Sequence, residues 1–310
     1  MIVKNIYLLL LFVLSTISTM SQSQGPKVSS GKIVRIENFP SKLISARNID
    51  IWLPEGYSNR KKYAVVYMHD GQMLFDSTTT WNKQDWQADE VANKLMKSHK
   101  TKDFIIVGIW NGGETRHPDY FPQKPYESLS PNQKAFVIDE LKKIGRTEKN
   151  FQPVSDNYLK FLVSELKPYI DQNFSVWNDP ANTFVAGSSM GGLISMYAIC
   201  EYPEIFGGAA CLSTHWIGIF SDNDNPVPEA FLKYMEAHLP SPKTHKIYFD
   251  FGTVTLDAFY PKHQAKVDEL MLKKGFTSNN WETLKFEGED HSEKAWAKRL
   301  NLPFEFLLKK

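Results

Sequence analysis

Eight short apolar runs punctuate the chain, and their internal pattern changes along it. Residues 32–39 (KIVRIENF) and 46–54 (ARNIDIWLP) alternate apolar with polar positions, the period of half-exposed, antiparallel strands. Five denser runs follow: YAVVYMHD at 63–70, DFIIVGIWN at 103–111, NTFVAGS at 182–188, GGAACLS at 207–213 and KIYFDFG at 246–252. Their density fits central strands covered on both faces. WETLKFEG at 281–288 reads as a last, less buried strand. Between these lie helical patterns at 86–99, 155–174, 190–206 and 261–275. The second places apolar Tyr158, Leu159, Leu162, Val163 and Leu166 on one face behind a Ser155 or Asp156 cap, and the fourth stops at Gly275. Strands alternating with helices predict an α/β fold with a mostly parallel central sheet flanked by helices.

One stretch breaks the alternation. Residues 111–150 follow the fourth strand, too long for one loop, and carry Tyr120, Phe121 and Tyr126 among prolines before a possible helix at 131–144. An insertion there would project over the crevice where α/β proteins bind ligands, as a partial lid or a substrate wall, with an ordinary surface insertion as the alternative. The first residues follow a different logic. Lys4, an apolar run from Ile6 to Leu14, and small residues with Thr19 and Ser21 at the −3 and −1 positions form the layout of a secretory signal peptide over residues 1–21. The run is short for a membrane span, although an uncleaved anchor is the alternative. The expected mature protein is a single domain of residues 22–310, secreted or periplasmic, with no stable membrane insertion after cleavage.

Composition narrows the partners. Of 310 residues, 36 are Lys or Arg and 35 are Asp or Glu, so no concentrated positive charge invites nucleic acid. A small-molecule or carbohydrate substrate fits better. Cys200 and Cys211 are the two cysteines, both in apolar surroundings that suit buried thiols rather than a bridge or a zinc site.

Candidate chemistry centres on VAGSSMGG at 185–192. A β-prone run stops at Gly187, a helical run starts near Met190, and Gly187-Ser188-Ser189-Met190-Gly191 satisfies G-x-S-x-G. A tight strand-to-helix turn needs small residues two positions either side of the central one. Ser189 is that residue and the candidate nucleophile. The base and acid follow the nucleophile in such folds. Of the later histidines, His291 in KFEGEDHSEKAW sits just after the last predicted strand, whereas His245 begins a strand and His263 lies within a helix. The acid comes from KIYFDFGTVTLDAFY, where Asp257 in the loop is preferred to Asp250 in the strand. Oxyanion donors are expected from the backbone N–H of Met190 and, across the turn made by Gly71, of Gln72. His69 and Asp70 beside that turn read as shaping the loop rather than moving protons.

Taken together, MHDGQ, GIWNGGETRHPDY, ELKPYID, GSSMGG, FGTVTLD and EDHSEKAW make the chain resemble the putative-esterase family of α/β-hydrolases. Its relatives include enterochelin esterases, feruloyl and acetylxylan esterases, S-formylglutathione hydrolase and mycolyltransferases. The resemblance implies an α/β-hydrolase fold and a Ser189–Asp257–His291 triad, with Gln72 and Met190 as oxyanion donors. It also implies two-step acyl transfer through an acyl-enzyme, and Trp296 packing beside the histidine loop. No cofactor or metal enters that chemistry, and SDNDNP at 221–226 reads as a solvated loop. The expected function is a secreted serine carboxylesterase acting on acylated carbohydrate or aryl esters. Trp81, Trp110, Tyr120 and Trp216, near predicted strand ends, are candidate substrate contacts. An acyltransferase or siderophore esterase would use the same triad, and a carbohydrate-binding scaffold without turnover is the non-enzyme alternative.

Overall fold

The computed structural model of the protein describes residues 25–147 and 150–309; the leader expected over 1–21 lies outside them. All eight predicted strands form: β1 (Lys32–Phe39), β2 (Arg47–Leu53), β3 (Ala64–His69), β4 (Phe104–Ile109), β5 (Thr183–Ser188), β6 (Gly208–Leu212), β7 (Lys246–Phe251) and β8 (Trp281–Lys285). They join one sheet in the order β1-β2-β4-β3-β5-β6-β7-β8. β2 runs antiparallel to both its neighbours, and the strands from β4 to β8 in that order are parallel. The chain therefore leaves β3 toward β4 on one side and builds β5 through β8 on the other. A crevice opens at such a reversal, outside the carboxyl ends of β3 and β5.

The dense strands are buried on both faces, as their sequences require. In β3, Val65 and Tyr67 enter one core while Ala64, Val66 and Met68 enter the other; in β4, Ile105, Val107 and Ile109 oppose Phe104 and Ile106. β2 departs from its half-exposed reading. Asp50 in its middle is fully buried, because Arg35 of β1 grips it in two bonds of 2.7 and 2.8 Å and the Trp110 indole N–H donates to it at 2.7 Å.

The helix expected over 155–174 is continuous from Ser155 to Asn173 but widens to a π turn over Leu162–Leu166. Pro168 follows that turn; it has no N–H to donate and its ring crowds the preceding turn, which the wider turn accommodates. Residues 27–30 are tied to the sheet and to the helix Ala88–Lys97. Lys27 N–H donates to Asp76 at 2.8 Å, Ser29 N–H and O–H donate to Asp89 at 2.7 and 2.9 Å, and the Trp52 indole donates to the Ser30 carbonyl at 2.8 Å.

Residues 111–147 follow β4, and Asn111, Arg116, His117 and Arg146 among them line the crevice. Short helices Arg116–Tyr120 and Gln123–Glu127 precede the helix Pro131–Lys143, whose start is a capping box between Ser130 and Gln133. Phe121, Tyr126 and Phe151 pack edge to face, and Val137 and Leu141 are buried in the same core. Buried rings and a capped helix thus anchor this stretch on the core beside the crevice.

Candidate active site

The site is assembled at the ends of β3, β5 and β7. β5 ends at Ser188 and the helix Met190–Glu201 begins at once, so Ser189 alone makes the turn. Its φ of 58° and ψ of −122° lie where side-chain-bearing residues rarely go. Three bonds hold it there: Ser189 N–H donates to the Leu212 carbonyl at 2.9 Å, and the Ser189 carbonyl accepts from Leu193 N–H at 3.0 Å and His215 N–H at 3.2 Å. Gly187 lets the strand and the helix meet, since a Cβ there would stand 2.7 Å from the backbone carbon and oxygen of Gly191. Gly187→Ala is thus expected to cost about 1–3 kcal/mol, the usual range for overpacking, read as a lower urea midpoint. An unchanged midpoint would show that the turn has room to spare.

His291 reaches the same place from the loop after β8. Its Nδ1 lies 2.5 Å from Asp257 Oδ1, and its backbone N–H donates to Thr255 Oγ1 at 3.0 Å. The ring stands edge-on to Trp296 at 5.0 Å. Asp257, fully buried in the turn Thr255–Phe259, also accepts from Ser213 O–H and Gly252 N–H, each at 2.6 Å. Burial pushes its carboxyl up, but the bonds and charge from His291, with Ser213 and Gly252, outweigh burial and hold it below the usual carboxylate value. A carboxylate so held stays ionised and fixes Nδ1–H on its own side, leaving Nε2 to exchange a proton.

Asp250 is engaged elsewhere. It accepts from Arg299 at 3.0 Å and from the Tyr248 hydroxyl at 3.0 Å, inside the sheet. Burial pushes its carboxyl up despite those two partners. Ser213 joins the two carboxylate systems, because its Oγ donates to Asp257 and accepts from Trp296 Nε1 at 2.9 Å and Arg299 Nη2 at 3.0 Å.

Ser189 and His291 line one cavity of about 550 Å³, together with Gln72 and Met190. Met190 is the first residue of its helix, and Gln72 lies in the short turn Gly71–Met73. The first N–H groups of a helix have no partner within it, so these positions can present donors to an oxygen in the cavity. A strained serine, an imidazole backed by a carboxylate and two backbone donors at one cavity can carry out acyl transfer.

Residues 41–304 match the family model described as Putative esterase. The chain belongs to this esterase family. Membership makes it a serine esterase that hydrolyses esters, in the α/β-hydrolase fold. The uncharacterized protein YbbA of Bacillus subtilis strain 168 is 23% identical over 269 residues, spanning 84% of this esterase and 92% of that protein. The endo-1,4-beta-xylanase/feruloyl esterase of Xylanibacter ruminicola is 24% identical over 288 residues, 91% of this esterase but only 32% of that longer protein. A solved ferulic acid esterase superimposes with a TM-score of 0.61 at 19% identity, covering 89% of this esterase and 98% of that chain.

The structure places the aromatic candidates differently from their common reading. Trp81 is 83% exposed at the mouth of the esterase's cavity. Trp110 instead donates to Asp50 and lies under Arg35, 4.8 Å from its guanidinium. Tyr120 is fully buried, with its hydroxyl accepting from Asp70 N–H at 3.3 Å. Trp216 is buried, bonds Gln264 at 2.9 Å and lines a separate cleft of about 20 Å³. These three are corrected from substrate contacts to packing residues: strand ends gave their position along the chain but not the side their rings face.

Several residues at the esterase's cavity carry no recognisable motif. His215 lines it, fully buried, with Nδ1 2.8 Å from the Tyr260 hydroxyl. Burial above all, with the nearby His291, His117, Arg116 and Arg146, keeps this imidazole neutral. Arg116, Arg146 and Phe220 also line the cavity, and Arg146 lies 5.9 Å over the Phe220 ring. Arg116 could have been found from its place after the fourth strand, in the same run as Asn111. Cys200 and Cys211 are buried free thiols, and no helix among the described residues is long and apolar enough to cross a membrane.

Proposed function

We propose that the protein is an exported serine carboxylesterase in which residues 22–310 form one esterase domain after loss of a leader at 1–21. Ser189 Oγ attacks the ester carbonyl while His291 Nε2 takes its proton, and Asp257 stabilises the imidazolium. The N–H groups of Gln72 and Met190 receive the oxyanion. Collapse releases the alcohol, protonated by His291, and water attacks the acyl-enzyme by the same route to release the acid and free Ser189. The observation that carries this reading is the 2.5 Å contact of His291 with a buried, ionised Asp257, at a cavity that also holds the strained Ser189.

The substrate class is an acylated carbohydrate or an aryl ester. The exposed Trp81 ring at the cavity mouth supports it, since a flat aromatic face there can stack on a sugar or a second ring. The feruloyl esterase named among the relatives points the same way.

Mixing the protein with p-nitrophenyl acetate and, separately, with an aryl fluorophosphonate tests the mechanism. The expected result is turnover of the ester, loss of that turnover on phosphonylation, and one modified peptide carrying the label on Ser189. Label on any other residue, with turnover lost in parallel, would overturn the assignment.

A further inference from the structure

Asp70 and Arg116 form a second polar cluster at the cavity that the acyl-transfer steps above do not use. Asp70 follows β3 directly and takes a left-handed conformation, φ 57° and ψ 45°, costly for a residue with a side chain. Its carboxylate accepts Arg116 Nε and Nη2 at 2.7 and 2.8 Å, and Asn111 Nδ2 at 2.6 Å. Its backbone N–H donates to Tyr120, its carbonyl accepts Met73 N–H at 2.9 Å, and Arg116 lies 5.4 Å over the Tyr120 ring. So many bonds to the charged form leave this carboxylate nothing to do as an acid or a base.

What the cluster touches shows its use. The next residue, Gly71, lies so close to β4 that a Cβ would fall 2.4 Å from the Gly108 carbonyl carbon. The residue after that is Gln72, whose side-chain oxygen accepts the Asn111 N–H at 3.1 Å. On the other side, Asp70 Oδ2 stands 3.4 Å from where a Cβ on Gly191 would be, against the first turn of the helix that begins at Met190. One ion pair thus meets the loop after β3, the segment after β4 and the helix behind Ser189. The first and the last of these carry the two oxyanion donors of the proposed mechanism.

We propose that Asp70 and Arg116 are positioning residues that set the spacing of the Gln72 and Met190 N–H groups and neutralise the negative charge lying behind them; the proposal rests on the mechanism above. The electrostatic half follows from charge placement. Unpaired, Asp70 would be a buried anion one residue from Gly71 and opposed to the oxyanion forming in the cavity. Arg116, with two parallel bonds, cancels that charge and fixes the carboxylate plane at the same time. Lysine can cancel the charge but not hold the plane.

The test is a kinetic series on p-nitrophenyl acetate with Arg116→Met, Arg116→Lys, Asp70→Asn/Arg116→Met and Ser189→Ala, each checked for folding by circular dichroism. Arg116→Met is expected to lower kcat about 100-fold, comparable to losing one oxyanion donor, while KM moves less than about threefold. Arg116→Lys is expected to fall between it and wild type. The double variant, with no stranded charge, should recover part of the loss. An aryl boronic acid, which forms a tetrahedral adduct on serine, should lose affinity in parallel with kcat, whereas acetate inhibition should stay constant.

A kcat within twofold of wild type in both single Arg116 variants, with Ser189→Ala inactive, would overturn the clamp and leave the nucleophile assignment standing. Full activity in Ser189→Ala would remove the mechanism and the clamp with it. If Arg116→Met does not fold, the Arg116→Lys loss decides: a fall confined to KM would sink the proposal.

Discussion

Ser189→Ala is expected to lower kcat/KM for p-nitrophenyl acetate by about 10⁴-fold or more, with its urea midpoint close to wild type. The two halves come from different observations. Without Oγ there is no acyl-enzyme, and what survives is the contribution of the cavity and its donors. Stability should hold because the side chain makes no capping bond to the helix it precedes, and alanine takes the same backbone strain. The three bonds that fix the turn use only the Ser189 backbone. Retention of more than about a tenth of wild-type activity would remove Ser189 from the chemistry, since surviving groups of a serine hydrolase do not supply that much. A collapse of the midpoint would show instead that the hydroxyl holds the elbow together.

The second large effect separates two aspartates that the sequence alone left in competition. Asp257→Asn is expected to lower kcat about 10⁴-fold, because an amide facing Nδ1 accepts no charge and lets the imidazole settle in the wrong tautomer. Asp250→Asn should do the opposite. It breaks a buried pair with Arg299 at 3.0 Å, which costs about 3–5 kcal/mol, while kcat per folded molecule stays near wild type. A greater fall in kcat for Asp250→Asn would reverse the assignment.

The pH dependence provides an independent reading of the same residue. The folded protein holds Asp257 below the ordinary 3.8. Its stabilisation is therefore present above that unfolded value and is lost as pH falls through the lower folded one. Asp257→Asn should lose stability less steeply on acidification over that window, measured by urea midpoints at successive pH values. Equal slopes would show that Asp257 is no better held in the folded state than in the unfolded chain.

The backbone was legible because burial on two faces leaves a plain mark. Runs such as VVYM and FIIV have no polar position to expose, so they must be central strands, and all eight runs became strands. The elbow was legible for a steric reason, since only glycine fits where strand and helix come within 3 Å. The place of Asp257 in a loop rather than a strand fits its contact with His291. The cavity wall was not legible. Trp110, Tyr120 and Trp216 sit beside strand ends as substrate contacts would, yet each side chain satisfies a partner within the protein: Asp50, Asp70 N–H and Gln264. Asp50 itself looked like the polar half of an alternating strand, because nothing local marks Arg35 across the register as its partner. Arg116 stood in the run GIWNGGETRHPDY, but its pairing with Asp70 was hidden for the same reason. Its bonds close over 46 residues of chain, and no spacing rule reaches that far.

The seam made by residues 27–30 has a practical meaning. Asp89 is fully buried, and the Ser29 N–H and O–H fill the carboxylate oxygen that faces this seam. A cut beyond Ser29 strands that anion at the head of the helix Ala88–Lys97, and a cut between Lys27 and Ser29 already gives up the bond to Asp76. An affinity tag faces the same limit. It belongs ahead of Lys27, the first residue to make these bonds, and a version trimmed to start at Ile33 should be recovered in poor yield even with Ser189, Asp257 and His291 intact.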